Sequence, residues 1–304
     1  MTNSKTELAK PEIFEKFEKI INEITSTRKK PLLVMFYSDP AGQILPCDID
    51  ALEHIFDDFL KEKGKEGFEE LDLLIHTHGG DADTSYRLIQ LIRSYCKKLD
   101  VLVAIHAHSG GTLITFGADS IEMGRSATLS PVDVQIGASS LPLMSIEKYI
   151  EFLEDTITRA CKIKEESNKT MFITELTKKL VDQVCPTDLG ELFRLRGLTE
   201  KHSKTLLHNY MFKNDSSKKE LAEKIFLAFT KESPTHAFAM DYELVKESGL
   251  KVIRMEDKIY KCCKNLIDIL VRLKRYGVIC PFYSSSINQR LPYFKIFDIP
   301  GGKR

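Results

Sequence analysis

Ile13, Phe14, Phe17, Ile20, Ile21 and Ile24 recur at spacings of three and four between residues 11 and 28, with charges between them and Pro11 in front. That period predicts an amphipathic helix opened by proline. The pattern then changes. PLLVMFY at 31–37 is a short apolar run rich in strand formers, and after SDPAGQ the helical spacing returns through DIDALEHIFDDFLKEK. The same alternation recurs in LDLLIHT (71–77) followed by TSYRLIQLIRSYCKK, and in LDVLVAIHA (99–107) followed by the small, apolar TLITFGA. Buried strands that alternate with helices at this cadence imply right-handed crossovers and a largely parallel sheet.

Farther along, residues 145–230 read as several Lys- and Glu-rich helices separated by CPTD and KNDSSKK. Residues 234–252 suit a loop, a short helix and a strand. Residues 257–276 form another helical pattern with Ile259, Cys262, Cys263, Leu266, Ile267 and Leu270 on one side, and the tail beyond has no clear period. The expected organisation is an N-terminal helix (1–28), an α/β core (29–140), a helical extension completing it (141–256), and a C-terminal helix with tail (257–304).

Composition narrows the function classes. The chain has 304 residues, 42% hydrophobic and 29% charged, as a soluble globular protein does. Its 44 Lys and Arg against 44 Asp and Glu leave a formal net charge of zero, which argues against a nucleic-acid or anionic-membrane partner. The apolar runs fall short of the ~20 residues that cross a bilayer, so membrane insertion is not expected. Seven cysteines without a CxxC pair, and an opening MTNSKTELAK without an apolar run, suggest a reduced, cytoplasmic protein.

Candidate chemistry gathers where two strands end. HTHGGDAD (76–83) carries Gly79 and Gly80, whose backbone can turn sharply and present bare amides; AHSGGTLI (107–114) puts Ser109 at a strand-to-helix turn beside Gly110. Alone, each has an ordinary explanation: a tight turn for the glycines, a helix N-cap for the serine. Together they offer a nucleophile and oxyanion donors that converge on one carbonyl. His76, His78, His106 and His108 form two HxH pairs at these strand ends. They lack a nearby carboxylate or thiolate at ligand spacing, so neither metal nor cofactor is expected, and His106 or His108 is a candidate base for Ser109. P-loop, dinucleotide and zincin motifs are absent from the sequence.

HTHGGDADTSYRLIQLIRSY, then VAIHAHSGGTLITFGADSIEMGRSATLSPVDVQIG, resembles the core of the serine dehydrogenase proteinase family, which belongs with signal peptide peptidase A in the Clp protease and crotonase superfamily. The family register holds from Ser109 through Asp119, Met123, Pro131, Val132, Asp133, Gln135 and Gly137, and again from Thr235-His236 through Val252. His78 and Val134 replace a family proline, and Ser130 a family glycine. The resemblance implies an α/β Clp protease/crotonase-type spiral core with a parallel sheet and a helical extension. It also implies a homo-oligomeric serine peptidase with a Ser/Lys dyad that acts on peptides or proteins. Ser109 would be the nucleophile, Gly79, Gly80 and Gly110 the oxyanion hole, and Lys148 the base, with Lys162 and Lys164 as alternatives. His78, Asp133, Gln135 and His236 would line or brace the peptide groove. Two other functions remain for this fold: crotonase-like acyl-CoA chemistry, and an inactive oligomeric scaffold.

Overall fold

The computed structural model describes residues 11–37, 42–132, 135–136, 144–183, 186–230, 232–233, 235, 238–275 and 293–298. The chain order is α1 (Pro11–Arg28), β1 (Leu32–Phe36), α2 (Cys47–Lys63), β2 (Phe68–His76), α3 (Ala82–Tyr95), β3 (Cys96–Val103), β4 (His106–Ala107) and α4 (Gly110–Thr115). Next come β5 (Ser120–Met123), β6 (Thr128–Leu129), β7 (Gln135–Ile136), β8 (Met144–Ser145), α5 (Ile146–Cys161), α6 (Glu166–Gln183) and α7 (Pro186–Leu206), which runs into a π-helical turn at Leu207–Met211. The chain finishes with α8 (Lys218–Ala228), α9 (Tyr242–Ser248), β9 (Val252–Arg254), α10 (Asp257–Arg275) and β10 (Tyr293–Phe297).

Six strands make the main sheet in the order β10-β1-β2-β3-β5-β9, parallel throughout except for β10, which runs antiparallel to β1. The tail that shows no period in sequence thus supplies an edge strand. Strands buried on both faces read as continuous apolar runs rather than alternating ones, as β1 does and as β2 does in its Leu73–Ile75 segment. On one face Leu33, Met35, Leu73, Ile75 and Val101 pack with residues of α2, α3, α7 and α8. On the other, Leu32, Val34, Phe36, Leu74 and Leu102 pack beneath α1 and α10.

That second face also carries charge. Register sets Asp72 of β2 beside Asp100 of β3, and Arg28 at the end of α1 pairs with Asp72 and, at 2.8 Å, with Glu122 of β5. Burial alone would lower the Arg28 guanidinium, but the hydrogen bond and charge of Asp72, aided by Glu122, hold it above its ordinary value. Breaking such a pair leaves a buried uncompensated charge at about 3–5 kcal/mol, so the pairing fixes where α1 sits.

The apolar run at 99–107 is not one strand. It leaves the main sheet after Val103, and His106–Ala107 pairs in parallel with Thr128–Leu129 as β4 and β6. This departure swings the chain toward the end of β2.

Candidate active site

β2 and β3 are neighbouring parallel strands, so both glycine corners lie at the same edge of the sheet. Pairing continues past the strand ends. Thr77 N–H donates to His106 O at 3.3 Å, and His108 N–H donates to Thr77 O at 3.0 Å, which draws the corners together. Gly79 has φ +107°, and a Cβ built there would lie 2.6 Å from Ser109 Cβ and 3.1 Å from Gly110 N. Only glycine permits this approach. Gly80, at φ +149°, lies against the Ile44 backbone: a Cβ there would stand 2.3 Å from Ile44 N. Ile44 N–H donates to Gly79 O at 2.9 Å, and Asp81 N–H donates to Ile44 O at 3.0 Å.

Ser109 is half-buried and holds φ 49°, ψ −115°, a conformation that costs a residue with a Cβ about 1–3 kcal/mol. It precedes α4 but makes no side-chain cap hydrogen bond, in contrast to Asp81, whose carboxylate caps α3 by accepting from Thr84 N–H at 2.7 Å. Capping therefore does not account for the serine. Its hydroxyl makes no hydrogen bond among the described residues.

The amides at the two corners are not equivalent. Gly79 N–H donates to Thr77 Oγ1 at 2.9 Å, Ser109 N–H to Ser130 Oγ at 2.7 Å, and Gly111 N–H to His108 O at 2.7 Å. Gly80 and Gly110 amides have no hydrogen bond among the described residues, and a Cβ at Gly110 would lie 3.4 Å from Gly80 N. One donor from each corner is thus left without a hydrogen bond among the described residues, and the two corners approach each other at Gly80 and Gly110.

The four histidines form a pile of rings beside this turn. Phe36 stacks on His76 at 5.2 Å, His76 and His78 each lie 4.1 Å from His106, and His106 lies 4.9 Å from His108. His76 is buried and His78 exposed. Burial first, then the charges of His76, His78 and His108, pushes His106 down to about 2. His106 Nε2 has no hydrogen-bond partner among the described residues. His108 Nε2 shares a 2.8 Å hydrogen bond with Thr128 Oγ1. No group of three or more His, Cys, Asp or Glu side chains among the described residues is arranged to hold a metal ion.

Lys148 lies on α5, with its side chain outside the described residues. The hairpin of β7 and β8, which pairs Gln135 with Ser145, leads directly into that helix. The Gln135 side chain, and Asp133 and His236 entirely, also fall outside the described residues. Lys162 and Lys164 are exposed and make no hydrogen bond or ion pair with the Ser109 turn among the described residues. Sequence reasoning misses Thr77 and Ile44. Ile44 acts across strand ends and nothing local marks it, whereas Thr77 also acts locally, its Oγ1 accepting from Gly79 N–H two residues on.

The sequence matches the ClpP-like SDH-type serine proteinase family over residues 8–272. The chain belongs to that family. Its mostly parallel, helix-covered sheet is accordingly of the Clp protease type. Similar curated proteins include the uncharacterized protein MJ1495 of Methanocaldococcus jannaschii, 30% identical over 192 residues (63% of this chain, 55% of that one). A second uncharacterized protein of the same organism, MJ0137, is 28% identical over 182 residues (60% of this chain, 53% of that one). The chain thus spans about half the length of these relatives. Among solved structures, a serine-to-alanine mutant of the 1510-N membrane-bound stomatin-specific protease is 20% identical, with TM-score 0.29, covering 44% of this chain and 66% of that one. An asparagine-to-aspartate mutant of ClpP1 from Listeria monocytogenes is 11% identical, with TM-score 0.38, covering 80% of this chain and 98% of that one. No helix among the described residues is long and apolar enough to cross a membrane.

Proposed function

We propose that this chain is a serine-type peptidase acting through an acyl-enzyme. Ser109 Oγ attacks the peptide carbonyl, and the oxyanion that develops is held by the Gly80 and Gly110 amides, donors worth about 3–4 kcal/mol each in such sites. The hydroxyl proton passes to neutral Lys148 Nζ and from there to the leaving amine; water then releases the acyl group. Family membership supports the reaction class. The observation that carries the residue assignment is the uncapped Ser109 hydroxyl at a strained turn, beside the corner where the Gly80 and Gly110 amides have no hydrogen bond among the described residues.

Among the rival bases, His106 at about 2 is too weak to draw a proton from a hydroxyl near neutral pH. Lys162 and Lys164 lie in solvent, away from the burial that a lysine base requires. His108 shares its Nε2 with Thr128 and its Nδ1 is a candidate base, so it is the rival that mutagenesis must separate from Lys148. Lys148 is the base assigned by the resemblance. Hydrolysis of an unfolded protein by Lys148→Ala at the Ser109→Ala background level supports it, whereas a Lys148→Ala enzyme at full rate that His108→Ala silences moves the base to His108.

The same reading includes a soluble peptide or protein substrate, a cytoplasmic setting and a homo-oligomer. Phe152 and Ile157 on α5, and Met171 and Phe172 on α6, are 41–63% exposed, apolar surface that a second copy would cover. Light scattering at micromolar concentration tests this: a mass of 34.7 kDa throughout contradicts self-association.

A further inference from the structure

A serine at φ 49°, ψ −115° keeps that backbone only where its neighbours over-determine it. One of those neighbours belongs to neither glycine corner. Ser130 follows β6, is 2% exposed, and accepts the Ser109 N–H at 2.7 Å through Oγ. Its hydroxyl donates to Pro131 O at 3.2 Å. Its own N–H donates to Thr112 Oγ1 at 3.1 Å, and the Thr112 hydroxyl donates to Ala107 O at 2.8 Å. The strand before the turn, the first turn of α4 and the β6 end are thereby tied into one circuit, and Ser109 N is a point on it.

We infer that Ser130 is a positioning residue for the Ser109 nucleophile, an inference that rests on the peptidase reading above. Two physical effects follow from the one hydrogen bond. Fixing the amide nitrogen of Ser109 fixes its φ, and with it the direction in which Cα–Cβ projects toward the Gly80 and Gly110 amides. Engaging that N–H also satisfies a donor that would otherwise be stranded beside the oxyanion pair, where relaxing φ to a negative value would let it find another acceptor and would swing the hydroxyl off target. Ser109 O is held too, since it accepts from Leu113 N–H at 3.0 Å. The residue is therefore clamped on both sides, but only the Ser130 clamp comes from outside the strand-turn-helix unit. A residue without a side-chain acceptor at position 130 would leave the Ser109 N–H without this partner, so the turn is held by the Ser130 side chain.

The test is the rate of covalent labelling by a fluorophosphonate probe, measured across probe concentration to separate the maximal rate from half-saturation. Ser130→Ala is expected to lower the maximal rate about tenfold with half-saturation unchanged within about threefold, as small misplacements of a reacting group do. Ser130→Thr, which keeps the hydroxyl, is expected within about threefold of wild type. If Ser130→Ala does not fold, Ser130→Cys, nearly isosteric but a weak acceptor, carries the same comparison. A folded Ser130→Ala or Ser130→Cys chain that labels at the wild-type maximal rate overturns the inference, as does Ser130→Thr slowed equally. Ser109→Ala run in parallel separates the two claims. Label surviving in Ser109→Ala refutes the nucleophile and the clamp together. Label lost there but at full rate without the Ser130 hydroxyl refutes the clamp alone.

Discussion

Gly79 and Ser109 meet so closely that a methyl group at residue 79 would stand 2.6 Å from the Ser109 Cβ and 2.8 Å from His108 O. The nearer obstacles are a β-carbon and a main-chain oxygen, neither of which can rotate away. Gly79→Ala is therefore expected to lose all peptidase activity and about 2–4 kcal/mol of stability, combining overpacking with an unfavourable φ. Gly64→Ala is the control, because Gly64 also has positive φ (+61°) but nothing within 4 Å. It should cost only about 1 kcal/mol and leave activity intact. Urea unfolding with activity measured on each variant distinguishes contact from dihedral strain. Equal losses in both would contradict the contact.

Ser109 stores strain that glycine would not feel. Ser109→Gly is expected to be more stable than Ser109→Ala by about 1 kcal/mol, a melting shift on the order of 2 °C, with both variants inert. The usual ranking of alanine over glycine is reversed at this residue. A Ser109→Ala chain that melts above Ser109→Gly contradicts the strained turn.

His106 supplies a pH dependence. Its folded-state value, about 2, lies below the ordinary histidine value of 6.5 because burial and three neighbouring imidazoles disfavour its charge. The unfolded chain therefore binds a proton between these values that the folded chain refuses, so stability falls as pH drops below 6.5. For a ring that is only partly exposed, the loss from pH 7 to pH 5 is about 1 kcal/mol after allowance for solvent screening. Melting temperatures of wild type and His106→Phe across this range measure it. Parallel curves for the two chains would remove His106 as the cause.

Both corners of the site were legible in the sequence, since a pair of glycines directly after an apolar run marks where a buried strand must turn. Which amides stay unspent was not. That depends on Thr77 Oγ1 turning onto Gly79 two residues on, and on Ser130 Oγ reaching Ser109 from 21 positions away. The alternation of strands and helices was equally readable, but β10 was not: a short antiparallel edge strand takes its identity from β1, beside which it pairs. Nor does any local pattern reveal that Asp72 and Asp100, each the second residue of a Leu-Asp pair opening an apolar run, lie side by side against Arg28.

The assignment of Ser109 as the attacking group is tested most directly by mass mapping of the whole chain after fluorophosphonate treatment. One adduct on Ser109, absent from the Ser109→Ala chain, is the expected result. An adduct on another serine, or equal labelling of the Ser109→Ala chain, contradicts it.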